Sequence, residues 1–179
     1  MLTQNTAWSN VEKAIARLKA HSMLDARRIL EAETTVLASL IRPSGYYNLK
    51  ALRLKNLMHT VMETASGDMD AFFNRDLEGL RDMLLSVNGI GKETADSICC
   101  YAAGKQIFVV DAYTRRILSR HGVIGNSADY EAIRKLFEDS LPSDLAVYRD
   151  LHAYLVFVGK EYCRKRDPLC GACPLARVP

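Results

Sequence analysis

The chain contains no apolar run long enough to span a bilayer, and no charged-then-apolar leader opens it. A soluble, cytoplasmic protein is therefore expected. Internal repeats and low-complexity linkers are also missing, so the 179 residues should form one compact unit or two small lobes. Strand-like sequence is scarce: only "QIFVV" (106 to 110) resembles a strand. Charge of a single sign is lacking, since 24 Lys and Arg face 21 Asp and Glu. The resulting net +3 permits an anionic partner such as nucleic acid without demanding one. The five cysteines are an odd number, which in a reducing compartment argues for thiols or metal ligation over disulfides.

What is abundant is helical periodicity. Apolar residues recur at helical spacing almost throughout, so the fold class is all-α. Ser9 and Glu12 form a capping-box pattern at the head of a helix running to about Ala20. Asp25 opens another helix, and "EAETTVLASLI" reads as a third. That helix should stop at an exposed turn over Pro43-Ser44-Gly45. A long helix then runs to Gly67, and further helices are expected at about 76–86, 92–103, 111–121, 127–141 and 144–162. Both ends look abrupt: "MLTQNT" has no helix start signal and "CPLARVP" stops just after a cysteine motif. Sequence missing on each side is the expectation, with an authentic Met1 as the alternative.

The stretch "LLSVNGIGKETADSICCYA" (84 to 102) joins two helices through Asn88-Gly89-Ile90-Gly91. Glycine allows positive φ and close backbone approach there. Outward amides at Gly89 and Gly91, together with the free N–H groups opening the next helix, would make an anion site, to which Lys92 adds a point charge. Glycine spacing alone fits an ordinary helix–helix turn equally well. Two further features bear on the choice. "VVDAYTRRILSRHG" (109 to 122) delivers Asp111 to a helix start as an N-cap candidate, and the C-terminal segment carries Cys163-x6-Cys170-x2-Cys173.

Together these three motifs resemble the helix-hairpin-helix DNA glycosylase superfamily, in its endonuclease III-like, iron–sulfur-containing branch. "LTQNTAW" (2 to 8), "IRPSGYYNLKA" (41 to 51) and the glutamate after Gly-Ile-Gly-Lys are most similar to the bacterial 3-methyladenine DNA glycosylase III group. The resemblance implies two helical lobes. Residues 1–104 would carry the hairpin at about 76–103. Residues 105–179 would carry the catalytic aspartate and a cysteine loop of iron–sulfur type at 163–179, and the damaged base would lie between the lobes. The partner would be double-stranded DNA holding a damaged base, bound by a monomer with no membrane involved.

By that resemblance Asp111 is the catalytic carboxylate, which stabilises the oxocarbenium character left on the sugar as the base departs and orients or deprotonates water. The alternative for Asp111 is a plain helix cap. Glu93 falls where lyase members place their Schiff-base lysine, so a monofunctional glycosylase using water is implied, with Glu93 lining the base pocket. Gln4 would fill the gap left by the flipped nucleotide, and Tyr46 would wedge into the opposite strand. Gly89, Gly91 and Lys92 would contact the DNA backbone, and Lys50 would either do so or lie on a solvated helix face. Trp8 is either a stacking wall for an electron-poor alkylated purine or a core residue. The family's cluster loop is Cys-x6-Cys-x2-Cys-x5-Cys. Cys163, Cys170 and Cys173 match its first three positions, while the fourth falls on Pro179, so a [4Fe–4S] cluster, a zinc ion or no metal stay open. Arg164, Lys165, Arg166 and Arg177 make this loop basic and suited to phosphates. Cys99 and Cys100 read as small buried apolar residues, and His21, His59, His121 and His152 carry no assigned role. The leading function is excision of alkylated purines. The alternatives are a glycosylase for oxidised pyrimidines or mismatched bases, and a non-catalytic DNA-binding module.

Overall fold

A computed structural model describes residues 1–125 and 127–177. Among these residues the chain is all-helical with no strand, and no helix is long and apolar enough to cross a membrane. The chain divides into two compact units, Met1–Ala95 and Asp96–Pro179.

The first unit contains α1 (Trp8–Ala20), α2 (Ala26–Glu31), α3 (Thr34–Leu40), α4 (Tyr47–Ala65), α5 (Met69–Phe73) and α6 (Leu77–Ser86). Helix α4 is its spine and packs against α2, α3 and α5. Buried residues fall on single helical stripes: Val11, Ala14 and Leu18 on α1, and Ala51, Met58 and Val61 on α4. Helix α7 (Lys92–Ser97) begins at the end of this unit and runs on through a π-helical turn, Ile98–Ala102.

The second unit holds α8 (Ala112–Arg120), α9 (Tyr130–Ser140) and α10 (Leu145–Glu161). They enclose a core that includes Phe108, Val110, Ile117, Ile133, Tyr148 and Leu155. Phe108 stacks on Phe137 with ring centres 3.9 Å apart and meets Tyr148 edge-on at 5.9 Å. Of the strand-like segment 106–110, residues 107–110 are buried here without a ladder partner. Ile107 N–H donates to the Lys105 carbonyl (3.0 Å), Phe108 N–H to Glu138 Oε1 (3.0 Å), and Val110 N–H points to the Tyr130 hydroxyl (3.5 Å). Local and side-chain acceptors thus serve buried amides that no sheet serves.

Aspartate starts most of the helices. Asp25, Asp68, Asp76, Asp111, Asp129 and Asp144 each accept a backbone N–H as the N-cap of α2, α5, α6, α8, α9 and α10. The expected capping box at Ser9 is corrected. Helix α1 already begins at Trp8, its cap Ala7 offers no side chain, and the Glu12 carboxylate takes the Trp8 indole N–H at 2.9 Å. The expected third helix is shorter than its sequence pattern, because Ala32 and Glu33 are extended and separate α2 from α3. The turn at Pro43-Ser44-Gly45 is not exposed: Ser44 is fully buried and its hydroxyl donates to Ile41 O.

Helices α8 and α10 pack at Gly159. A Cβ there would lie 2.6 Å from Tyr113 Cβ and 2.8 Å from its Cγ, closer than any real contact, so only glycine admits the tyrosine. The Gly159→Ala protein should lose about 1–3 kcal/mol of stability through overpacking, read as a lower midpoint in thermal unfolding. An unchanged midpoint would show that the helices part without cost.

Candidate active site

Within the first unit, the residues expected to meet DNA converge on one buried cation. Lys50, near the start of α4, is only 2% exposed. Its ammonium donates to Leu2 O (2.9 Å), Gln4 O (2.8 Å) and Ser44 O (2.7 Å). All three N–H donors are spent on carbonyls, and no carboxylate neutralises the charge in this set. Burial first, and the nearby Arg53 second, hold the Lys50 ammonium below the usual lysine range. The DNA contact expected of Lys50 is therefore corrected: an enclosed ammonium with its donors committed has none to offer a phosphate. Instead it ties the N-terminal segment to the turn before α4.

That turn carries Tyr46 in an unusual state. Gly45 has φ +68° and Tyr46 φ +47°, and the tyrosine is 69% exposed. A bulky residue in the left-handed region costs of order 1–3 kcal/mol and persists only where its surroundings fix it. The Lys50 bond to the Ser44 carbonyl supplies part of that fixation. Gln4 is held at both ends of its amide: Nε2 donates to Thr94 Oγ1 at 2.7 Å, and Oε1 accepts from Arg53 at 3.1 Å. Arg53 in turn explains the first hairpin glycine. Gly89 has φ +95°, and a Cβ there would fall onto the Arg53 side chain, so this position needs glycine for conformation and for space alike. Gly91 is exposed with open space beside it. Lys92 and Glu93 are exposed on the first turn of α7. Trp8 is 59% exposed, which removes the core alternative for it.

In the second unit the central group is Asp111. Its backbone is extended, and Oδ1 accepts the Thr114 N–H at 2.7 Å, capping α8. The side chain is 12% exposed. Its second oxygen, Oδ2, lies 3.8 Å from His152 Nε2 on α10. The imidazole's other nitrogen, Nδ1, is 2.6 Å from the Tyr101 hydroxyl of the π-helical turn. Cap and reactive carboxylate are compatible roles here, because the cap consumes one oxygen only. His152 and Tyr101 were missed from sequence, since neither stands near Asp111 along the chain and no motif marks them.

The cysteines do not form the expected centre. Cys163 is buried in the core of the second unit, with Arg120 donating to its Sγ at 3.3 Å. Cys170 is exposed and Cys173 half-buried. Among the described residues no group of three or more His, Cys, Asp or Glu side chains comes together to hold a metal ion, so the residues as placed do not fit a [4Fe–4S] cluster or a zinc site. Pro179, at the fourth position, lies outside the described residues. Cys99 and Cys100 are fully buried, as expected of small apolar side chains.

The chain belongs to the HhH-GPD superfamily of base excision DNA repair proteins, whose model matches residues 1–143. It is 48% identical over 176 residues to the DNA repair glycosylase candidate MJ1434 of Methanocaldococcus jannaschii, covering 98% of this chain and 80% of the relative. It also resembles the crystal structure of the H. pylori 3-methyladenine DNA glycosylase bound to 1,N6-ethenoadenine. There the TM-score is 0.69 at 33% identity, over 87% of this chain and 70% of that one. A trapped endonuclease III–DNA covalent intermediate shares the fold with a TM-score of 0.82 at 24% identity, over 97% of this chain and 76% of that one.

Lys50→Met should leave three carbonyls without their donor. At about 1 kcal/mol or more for each unsatisfied group, the protein should lose roughly 3 kcal/mol. The thermal midpoint should then fall by about 6–12 °C for a chain of this size. A midpoint within error of the parent would show that the clamp contributes nothing to the fold.

Proposed function

We propose that this protein is a monofunctional DNA glycosylase, which hydrolyses the N-glycosidic bond of an alkylated purine extruded from double-stranded DNA. The observation that carries the reading is the Asp111 carboxylate, fixed through Oδ1 to the head of α8 while Oδ2 faces His152 Nε2 at 3.8 Å, beyond hydrogen-bond distance. Departure of the base leaves positive charge on the sugar. A rigid, partly desolvated carboxylate stabilises that charge more strongly than one moving freely in water, and the same oxygen orients the attacking water. A neutral amide at this position does neither well.

Membership of a base excision repair superfamily supports glycosylase chemistry over simple DNA binding. Glu93 stands where the lyase members carry their lysine, which favours water over an amine as nucleophile. The preference for alkylated purines draws on the likeness to the H. pylori enzyme and on exposed Trp8, whose face attracts a cationic, electron-poor base. In this reading Gly89, Gly91 and Lys92 bind the phosphate backbone, while Gln4 and Tyr46 enter the duplex beside the extruded nucleotide. No step passes through an iron–sulfur group.

A panel of duplexes, each with a single lesion, tests the proposal. Alkylated purines should be excised faster than thymine glycol or a mismatched thymine, and the reverse order would transfer the assignment to oxidised or mismatched pyrimidines. On the best substrate Asp111→Asn should lose roughly 10²-fold or more in single-turnover rate while binding duplex as the parent does; an undiminished rate would refute the catalytic assignment. Borohydride should trap no covalent adduct at an abasic site, and a trapped adduct would overturn the monofunctional reading.

A further inference from the structure

His152 and Tyr101 have no place in the chemistry described so far, yet both sit against its central group. The π-helical turn at 98–102 is held by Arg149 of α10, which donates to the carbonyls of Cys100 and Tyr101 and lies over the Tyr101 ring at 5.7 Å. Turns of this kind re-aim side chains and are frequent at functional sites. Here the turn directs the phenol oxygen to His152 Nδ1 at 2.6 Å. The other ring nitrogen, Nε2, is buried without a hydrogen-bond partner, and the group it faces is Asp111 Oδ2.

Proton placement follows from these neighbours. Burial pushes the Tyr101 phenol up to about 12, so it keeps its proton and donates to Nδ1. The imidazole proton then sits on Nε2, directed at the carboxylate; the opposite tautomer would set a lone pair against it. Burial lowers the His152 pKa and the Asp111 charge raises it, with burial the larger effect, so the ring is neutral at physiological pH. The groups that act electrostatically on Tyr101 are Cys100 beside it, Asp111 at the head of α8, and Arg149 and Asp150 on α10; Asp111 acts on His152, and Arg149 and Asp96 act on Cys100. The separation of 3.8 Å is too long for a hydrogen bond, but such contacts are often long in free enzymes and tighten with substrate bound.

We infer that His152 is a positioning residue for Asp111: its Nε2–H, set by the Tyr101 hydroxyl, takes hold of Oδ2 and aims the carboxylate at the reacting sugar. This inference rests on the catalytic role given to Asp111 above. It predicts that His152→Leu lowers the single-turnover excision rate on the best panel duplex by roughly 10–100-fold, the usual cost of losing an orienting partner. Affinity for a duplex holding a tetrahydrofuran abasic analogue should not change. His152→Gln, which places an amide N–H near the position of Nε2, should recover most of the rate.

Nitrogen-15 NMR of the histidine ring gives a readout that needs no substrate. It should find the Nε2–H tautomer, with a mixture of tautomers in Tyr101→Phe. An Nδ1–H tautomer would overturn the inference. So would a parental rate in His152→Leu, or a loss of DNA affinity matching its loss of rate. Asp111→Asn assayed alongside separates the two levels. If that variant is inactive while His152→Leu is not, only the role of His152 falls. If Asp111→Asn excises normally, the glycosylase assignment falls with it.

Discussion

One carboxylate oxygen tied to the head of a helix, with its twin outside that bond, is the constraint on which the proposed chemistry of the second unit depends. The Asp111 Oδ1 bond to Thr114 N–H satisfies an amide that α8 would otherwise leave orphaned, and it fixes the side-chain torsion. Oδ2 is thereby held in a defined place without being consumed. Gly159 extends the same arrangement into the packing. Because Tyr113 settles against a glycine, α8 and α10 approach closely, and α10 carries both His152 and the arginine that braces Tyr101. Stability and chemistry are served by the same contacts.

The first unit is organised around a charge that has left water. Burying an ammonium is expensive unless each of its donors is satisfied, and Lys50 meets that condition with carbonyls from the N-terminal segment and from the turn before α4. Two segments distant in sequence are thereby held at one point. Gln4 and Tyr46, the residues assigned to the duplex, flank that point on either side. The strained tyrosine is an exposed aromatic carried on a rigid base, which suits a group that must part stacked bases without losing its own conformation.

The legible parts of the sequence were those in which a residue type has one dominant use. Helical periodicity gave the all-α class, and Asp25 was recognisable as a cap because a short carboxylate before an apolar run has little else to do. Asp111 stands out in the sequence because a hairpin precedes it and cysteines follow it, and its place as the cap of α8 agrees with the N-cap expectation. Features set by tertiary contacts were not legible. Lys50 reads as a surface cation, since nothing local announces three carbonyls folding over it. Ser9 and Glu12 have capping-box spacing, but the carboxylate found the Trp8 indole instead. His152 pairs with Asp111 only through the packing of α10 on α8, and the cysteine spacing matched a ligand pattern that the described residues do not assemble.

The proposed chemistry turns on where one Asp111 oxygen sits when DNA is bound. A crystal structure of the Asp111→Asn protein on a duplex bearing an alkylated purine would test it most directly. The lesion nucleotide should lie outside the helix, with the side chain at position 111 facing its C1′ atom and the glycine hairpin on the flanking phosphates. A lesion still stacked in the duplex, or an extruded one whose C1′ atom is remote from position 111, would contradict it.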